Sequence, residues 1–208
     1  KAGYNDKGKY YTDYIDLESF ADQWLFYELN EENSVNSSVY YYKDSDICGD
    51  GKLHASWPWD MEHSLTREGG AASSWFAAAS DLKPEGYWMQ FYHHRDFAEA
   101  VYKEWMTKFV PALEKALNPE TGYDPDGISS LDWYLGYYGT DAQINESRWN
   151  GSGFAEKLEK IRRIYTVRLD FLTEALGLYD TDYIYFYKEN GILYGVNAQE
   201  ESIPVENP

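Results

Sequence analysis

Between Phe154 and Leu178 the apolar residues fall at Phe154, Leu158, Ile161, Tyr165, Leu169, Leu172 and Leu176, the spacing of a long amphipathic helix. A helix of this kind must bury its stripe against neighbours, so the chain needs other helices with matching faces. Two are evident. Asp96 reads as the N-cap of a segment with Phe97, Val101, Trp105 and Phe109 at four-residue steps, then Leu113 and Leu117 beyond Pro111, where a kink or restart is expected. Asp16 caps a stripe of Leu17, Phe20, Ala21, Trp24, Leu25 and Glu28. The acid at its end is carried inward, where a structural ion pair is expected. Residues 128–149 read as a further helix interrupted near Gly136 and Gly139, and Gly177 as the stop of the longest one. Arg162, Arg163 and Arg168 are expected to form ion pairs with the acidic remainder.

Strand signals are fewer. Residues 38–44 and 52–56 read as a β-hairpin, and Tyr183 to Val196 holds two β-rich runs around Asn190-Gly191, a strong hairpin turn. Residues 1–15 look like an extended lead-in, 66–74 like a mobile Gly/Ala/Ser-rich loop, and 75–79 like a short helix. The prediction is a mainly helical α+β domain over residues 1–179. Residues 180–208 form a C-terminal hairpin or the start of a following β module.

Charge narrows the partners. Thirty-six acidic against eighteen basic residues give a net charge of −18, a field that repels nucleic acid and anionic lipid. It also repels ATP unless a metal or a local basic patch intervenes. No apolar run reaches transmembrane length, so no membrane insertion is expected. The single Cys48, between Asp46 and Asp50, cannot form an intrachain disulfide and lacks an activating base. Aromatic residues make up 18%, with 21 Tyr, a surplus that suits either a core or extracellular contact and sugar stacking.

The stretch most suggestive of chemistry is Trp57-Pro58-Trp59-Asp60-Met61-Glu62-His63. The two Trp favour burial, whereas the carboxylates want water, a donor or a cation. In extended backbone Asp60 and Glu62 would leave on one face and could reach one hard divalent ion such as Mg²⁺. Equally, Asp60 could cap the segment beginning at Met61, with Glu62 solvated. The acidic loop that begins at Glu31 and Glu32 would lie near Asp60 if the hairpin returns the chain.

Residues 15–25, 36–44, Gly51-Lys52-Leu53-His54 and Trp57-Pro58-Trp59-Asp60-Met61-Glu62 together resemble the C-terminal half of the CotH family, a spore-coat-kinase-like group of bacterial exported and surface proteins. Trp75-Phe76, the segment from Asp96 to Trp105, Asn145 to Trp149, and Arg163 to Leu172 also fit. The resemblance covers roughly residues 10–178. It implies the C-lobe of an atypical protein-kinase-like fold, with Mg²⁺ and ATP as cofactors and a Ser-rich protein as substrate. By resemblance Asp60 is the metal-binding carboxylate, and Glu62 stands where the family has a second Asp. Asn33 stands near the family's catalytic Asp, in a loop one residue shorter, with Glu31 and Glu32 as the nearby acids. Asn cannot accept the substrate proton, and no Gly-rich phosphate loop is present. The expectation is therefore a kinase-like lobe of a larger exported or cell-surface protein that is inactive in isolation.

A reading from another class is a non-catalytic carbohydrate-binding or adhesion module, whose candidate platform rings are Trp75, Tyr87, Trp88, Tyr137 and Tyr138. A structural spacer in a multimodular surface protein is a third.

Overall fold

A computed structural model describes residues 4–32, 39–75, 91–149, 153–197 and 199–205. It is α+β, with five α-helices and two small antiparallel sheets among those residues. The helices are α1 (Leu17–Asn30), α2 (Arg95–Glu104), α3 (Val110–Leu117), α4 (Leu131–Trp149) and α5 (Phe154–Leu176). β1 (Tyr41–Lys43) pairs with β2 (Leu53–Ala55) through Tyr42 opposite His54. β3 (Tyr183–Glu189), β4 (Ile192–Asn197) and β5 (Ser202–Pro204) form the second sheet in that order.

α1 lies at the centre. Asp16 starts it by accepting a hydrogen bond from the backbone N–H of Ser19 at 2.9 Å. Its buried residues run from Phe20 to Asn30 on more than one face, so the stripe read from the sequence is wider in fact. Trp24 meets Trp75 edge-on at 5.7 Å and stacks on Tyr92 at 5.2 Å, while Trp75 also reaches Phe186 at 5.2 Å. Ring pairs of this kind add about 0.5–1.5 kcal/mol each beyond burial. Part of the aromatic surplus is therefore core. Trp75, one of the expected sugar-platform rings, is fully buried in it.

The expected kink at Pro111 takes a specific form. The five residues Trp105–Phe109 adopt a wider π turn between α2 and α3, with Pro111 just inside α3. A proline ring clashes with the carbonyl four residues back, here that of Thr107, and a widened turn relieves the clash without ending the helix. Trp105 is held there by its indole N–H, which donates to Thr173 Oγ1 of α5 at 3.0 Å. The expected break at Gly136 and Gly139 is absent: α4 runs unbroken through both. A glycine costs a helix only about 1 kcal/mol, which nineteen residues absorb.

Three further expectations are corrected. The lead-in is not a free extended arm. Ile15 bridges Leu53 in parallel, and Tyr11 and Tyr10 donate to Asp96 Oδ1 at 2.8 and 3.1 Å. Asp96 therefore anchors these phenols, and His94 occupies the N-cap of α2. Burial first, and then the Asp96 bond, push the Tyr11 pKa well above the ordinary phenol range. Residues 66–74 are anchored rather than mobile: Gly69–Ala72 form a 3₁₀ turn, Ala72 is buried, and Lys188 N–H donates to the Ser73 carbonyl at 2.7 Å. Of the segment read as a short helix, residues 76–79 lie outside the described residues.

The C-terminal hairpin turns at Asn190 (φ 52°) and Gly191 (φ 80°), the doubly left-handed pattern of a type I′ turn. Phe186 and Leu193 enter the same core as Trp24 and Phe171. Gly195 is required by packing, because a Cβ there would stand 2.4 Å from the Tyr183 ring.

The expected ion pairs are present. Arg162 meets Asp132 at 2.8 Å and Arg163 meets Glu68 at 3.0 Å. Arg168 and Glu28, both fully buried, meet at 2.6 Å. Arg168 also donates to the carbonyls of Glu28 (2.6 Å), Ala72 (3.0 Å) and Ser74 (2.6 Å). Removing one member of a buried, hydrogen-bonded pair strands the other, so Arg168→Ala is expected to cost about 3–5 kcal/mol in urea denaturation. A double replacement, Glu28→Leu with Arg168→Met, is expected to recover a large part of that loss. A single Arg168→Ala variant with an unchanged midpoint would contradict this account.

Candidate functional site

The segment carrying the Trp57–His63 motif is stitched to the C-terminal end of α1. Leu65 N–H donates to the Asn30 carbonyl at 2.7 Å, Ser64 Oγ donates to Glu32 Oε2 at 2.8 Å, and Arg67 N–H donates to Glu31 Oε2 at 2.9 Å. The Tyr27 hydroxyl is buried, which raises its pKa, and a hydrogen bond with the Trp59 backbone opposes that rise. The first two acids of the acidic loop therefore lie against residues 64–67, just after the motif, and the rest of that loop lies outside the described residues.

The individual side chains differ from expectation. Glu31 and Glu32 are fully buried. Glu31 ends α1 in the left-handed region (φ 55°), and the Arg67 guanidinium lies 3.4 Å from its carboxylate. Burial lowers the Arg67 pKa, against the pull of Glu31. Asn33 lies outside the described residues. Trp57 and Trp59, expected to seek burial, are 86% and 60% exposed. Asp60 and Glu62 are exposed as well. The extended backbone assumed for these two does not hold either, because Asp60 is left-handed (φ 63°). Residues 61–68 form no helix, so the capping alternative finds none to cap, although Glu62 is solvated as that alternative has it.

Left-handed backbone is tolerated by Asp but is an outlier for a bulky residue. Leu65 (φ 54°) is such a residue, held by its bond to Asn30. Two positive-φ residues within six positions store about 1–3 kcal/mol each, and strain of this kind clusters where chains grip ligands. Asp60 and Glu62 present carboxylates that could contribute to a hard cation with several waters, the mode Mg²⁺ prefers.

A second assembly was not singled out from the sequence. Glu18 and Asp22 of α1 and Glu104 of α2 converge, their oxygens within 4.8 Å of one another. The centre of the group is the Lys108 ammonium, 2.7 Å from Glu18, 2.9 Å from Asp22 and 2.7 Å from Glu104. A lysine there takes the place a metal ion would need. Burial pulls the Lys108 pKa down, but its bonds to Asp22, Glu104 and Glu18 outweigh that and hold it well above the ordinary lysine value. Burial also raises the Asp22 pKa, with Lys108 opposing. The sequence carried a faint signal: Glu18 and Asp22 are one turn apart, as are Glu104 and Lys108. Their meeting depends on how α1 packs against α2, which spacing does not reveal.

Beside this cluster lies an open cleft of about 460 Å³ between α1, the β1–β2 hairpin and the π turn. Phe26, Tyr42, Trp57, Pro58 and Phe109 supply its apolar walls. Ser19, Asp22, Gln23, Ser56 and Lys108 supply its polar ones. Of the remaining platform candidates, Tyr137 and Tyr138 are exposed on α4, while Tyr87 and Trp88 lie outside the described residues.

No family model, curated protein or solved structure matches the chain.

Lys108→Met leaves three carboxylates facing one another, with Lys103 3.7 Å from Glu104. At a half-exposed ammonium much of the ion-pair energy is screened, so the expected loss at neutral pH is about 1–2 kcal/mol. Lys108 lowers the Glu18 pKa and opposes the burial that raises that of Asp22, so without it both carboxyls rise. Their penalty is then full at neutral pH and disappears below the unfolded values, near 4. The deficit of the variant is expected to shrink as pH falls from 7 to about 4, measured by urea midpoints at each pH. A deficit independent of pH would contradict it.

Proposed function

We propose that the chain is a kinase-like C-terminal lobe, similar to that of the CotH family, from a larger exported or surface protein of a bacterium, and that it transfers no phosphate by itself. The supporting observation is the stitching of residues 64–67 to residues 30–32. It brings the carboxylate motif beside the acidic end of α1, which is the juxtaposition that reading requires. Asp60 and Glu62 are the residues that would hold Mg²⁺, and the ion would supply charge neutralisation for the phosphates of ATP. The acids of that loop, Glu31 and Glu32, are buried and engaged by Arg67 and Ser64. Neither can take a proton from a substrate hydroxyl without leaving those partners. This supports inactivity, with Asn33 offering no base.

Two measurements test the proposal. Mn²⁺, standing in for Mg²⁺, is expected to broaden the amide resonances of residues 60–65 before those of other acidic segments. Uniform broadening over the surface would remove the metal assignment. With Mg-ATP and a Ser-rich protein, no phosphate transfer is expected. Mg²⁺-dependent phosphorylation abolished by Asp60→Ala would overturn the claim of inactivity.

A second reading, a saccharide-binding module, is favoured by a different observation. Tyr40, Tyr42, Trp57 and Trp59 are all more than half exposed around one end of the β1–β2 hairpin. Contiguous aromatic exposure on an otherwise acidic surface marks a contact site more often than chance packing. On this reading the partner is a polysaccharide of the cell surface or its surroundings.

A further inference from the structure

We infer that the outer face of α4 pairs with the same face of a second copy of this chain, the two helices running antiparallel about a twofold axis between Thr140 and Asp141. Such pairing is independent of both functional readings above.

At 3.6 residues per turn, Trp133, Tyr134, Tyr137, Asp141, Ile144 and Arg148 fall within about 100° of arc. Leu131, Leu135, Ala142 and Glu146 share a different arc, and they are buried or half-buried. α4 therefore gives a modest face to the rest of the chain and turns aromatic rings outward. Tyr137 is 66% exposed and Ile144 56%. A solvated helix face is ordinarily polar, and contiguous apolar exposure of this kind marks a contact surface.

The rings are already arranged. Trp133 stacks on Tyr123 at 5.0 Å and on Tyr137 at 4.9 Å, and Tyr134 stacks on Tyr138 at 6.3 Å. Side chains held in this way lose little freedom when a partner arrives, so little of the contact energy goes into ordering them.

Charge and area select the partner. Asp132 of α4 meets Arg162 of α5 at 2.8 Å, and Glu146 accepts from the Phe154 N–H at the start of α5. The outer face keeps one acid, Asp141, and one base, Arg148, so its charges cancel on a chain of net charge −18. A basic partner would be drawn to the acidic surfaces elsewhere. A face without net charge suits a partner that is itself acidic, because it adds no local repulsion to the long-range one. A second copy is such a partner. At about 200 Å² per fully exposed side chain, the exposed parts of Tyr123, Tyr134, Tyr137, Tyr138 and Ile144 amount to about 500 Å² on each copy. Two copies bring together about 1,000 Å², the size at which specific interfaces begin.

The face is also complementary to itself. A twofold axis between Thr140 and Asp141 sets Tyr137 of each copy against Ile144 of the other, and Trp133 against Arg148. The first pair is a ring on an aliphatic chain, and the second is a guanidinium over an indole, an attraction that persists at exposed sites. An axis through Asp141 itself would oppose two carboxylates, which disfavours that register.

The test is sedimentation equilibrium of the whole chain from about 1 to about 100 µM. A monomer–dimer equilibrium is expected. It should strengthen as sodium chloride rises from about 0.05 to about 0.5 M, because salt screens the repulsion between two acidic copies. Tyr137→Asp is expected to weaken the dimer about a hundredfold and Arg148→Asp about tenfold. Both residues are exposed, so both variants should keep the wild-type circular dichroism and urea midpoint. Ile47→Asp, at an exposed apolar residue far from α4 in sequence, is expected to leave association unchanged. In a Cys48→Ser background, Thr140→Cys is expected to give a disulfide-linked dimer on air oxidation and Gln143→Cys to give none. A monomer throughout the range, or a dimer indifferent to Tyr137→Asp, would overturn the α4 interface. Cross-linking by Gln143→Cys in preference to Thr140→Cys would overturn the axis.

Discussion

The Arg168 guanidinium is the point on which the rest of the chain hangs. It is fully buried, and four of its hydrogen bonds run to two separated stretches: Glu28 on α1, and Ala72 and Ser74 before the core tryptophan Trp75. Two of the acceptors, the Ala72 and Ser74 carbonyls, belong to a stretch that crosses the core edge without a helix to satisfy them. A buried carbonyl left without a donor loses about as much as a hydrogen bond contributes, so the guanidinium does for this stretch what a sheet would otherwise do. A planar, always-charged fork suits this role, and a lysine could not reproduce its geometry. Whether the ion pair itself is net stabilising matters less than the orientation it imposes. Fixing Glu28 fixes the end of α1, and that end carries Asn30, Glu31 and Glu32 to the segment at 64–67.

Elements whose sequence period matches their burial were legible. α5, α2 and the Asn190-Gly191 turn were readable because a 3.6-residue stripe, or a pair of residues tolerant of positive φ, needs no knowledge of its neighbours. The misreadings share a cause. Gly136 and Gly139 suggested a break, but α4 buries only Leu131, so its course is set by local propensity, where two glycines cost little against many hydrogen bonds. Pro111 gave the place of a distortion but not its kind. Residues 66–74 looked mobile because small residues usually are, yet their carbonyls are claimed by Arg168 and Lys188, which lie far away in sequence.

For the candidate site the sequence supplied the meeting of two segments but not the state of the side chains. Trp57 and Trp59 were expected inside because hydrophobicity argues so for any tryptophan. They are outside because the core around α1 is already filled by Trp24, Trp75, Tyr92 and Phe186, and the hairpin that carries the motif has only three-residue strands with little area to cover them. Conversely, Glu31 and Glu32, read as the start of an acidic loop, are buried, since each finds a donor in the 64–67 segment. The cleft beside Asp22 and Lys108 was not legible, because it lies between elements that sequence places about ninety residues apart: Lys108 donates to Glu18 and Asp22 at that separation.

In a chain with twice as many acids as bases, where each cation sits is more informative than where each anion does. α1 alone engages three cations: Lys108 at Glu18 and Asp22, Arg168 at Glu28, and Arg67 at Glu31. The first stands at a surface cleft, the second in the core, the third at the motif-bearing segment. These are three of the places where α1 meets the rest of the protein, so the scarce positive charge follows the helix from one end to the other. A purely structural helix could have replaced these pairs with apolar contacts at no loss of stability. Arg168 and Arg67 can be explained by the backbone carbonyls and the left-handed end they hold. Lys108 has a duty of the same kind, since the Glu104 side chain is only 4% exposed and would otherwise be buried without a cation. With Glu18 and Asp22 on α1 and Glu104 on α2, it joins the two helices through charge as well as through apolar packing.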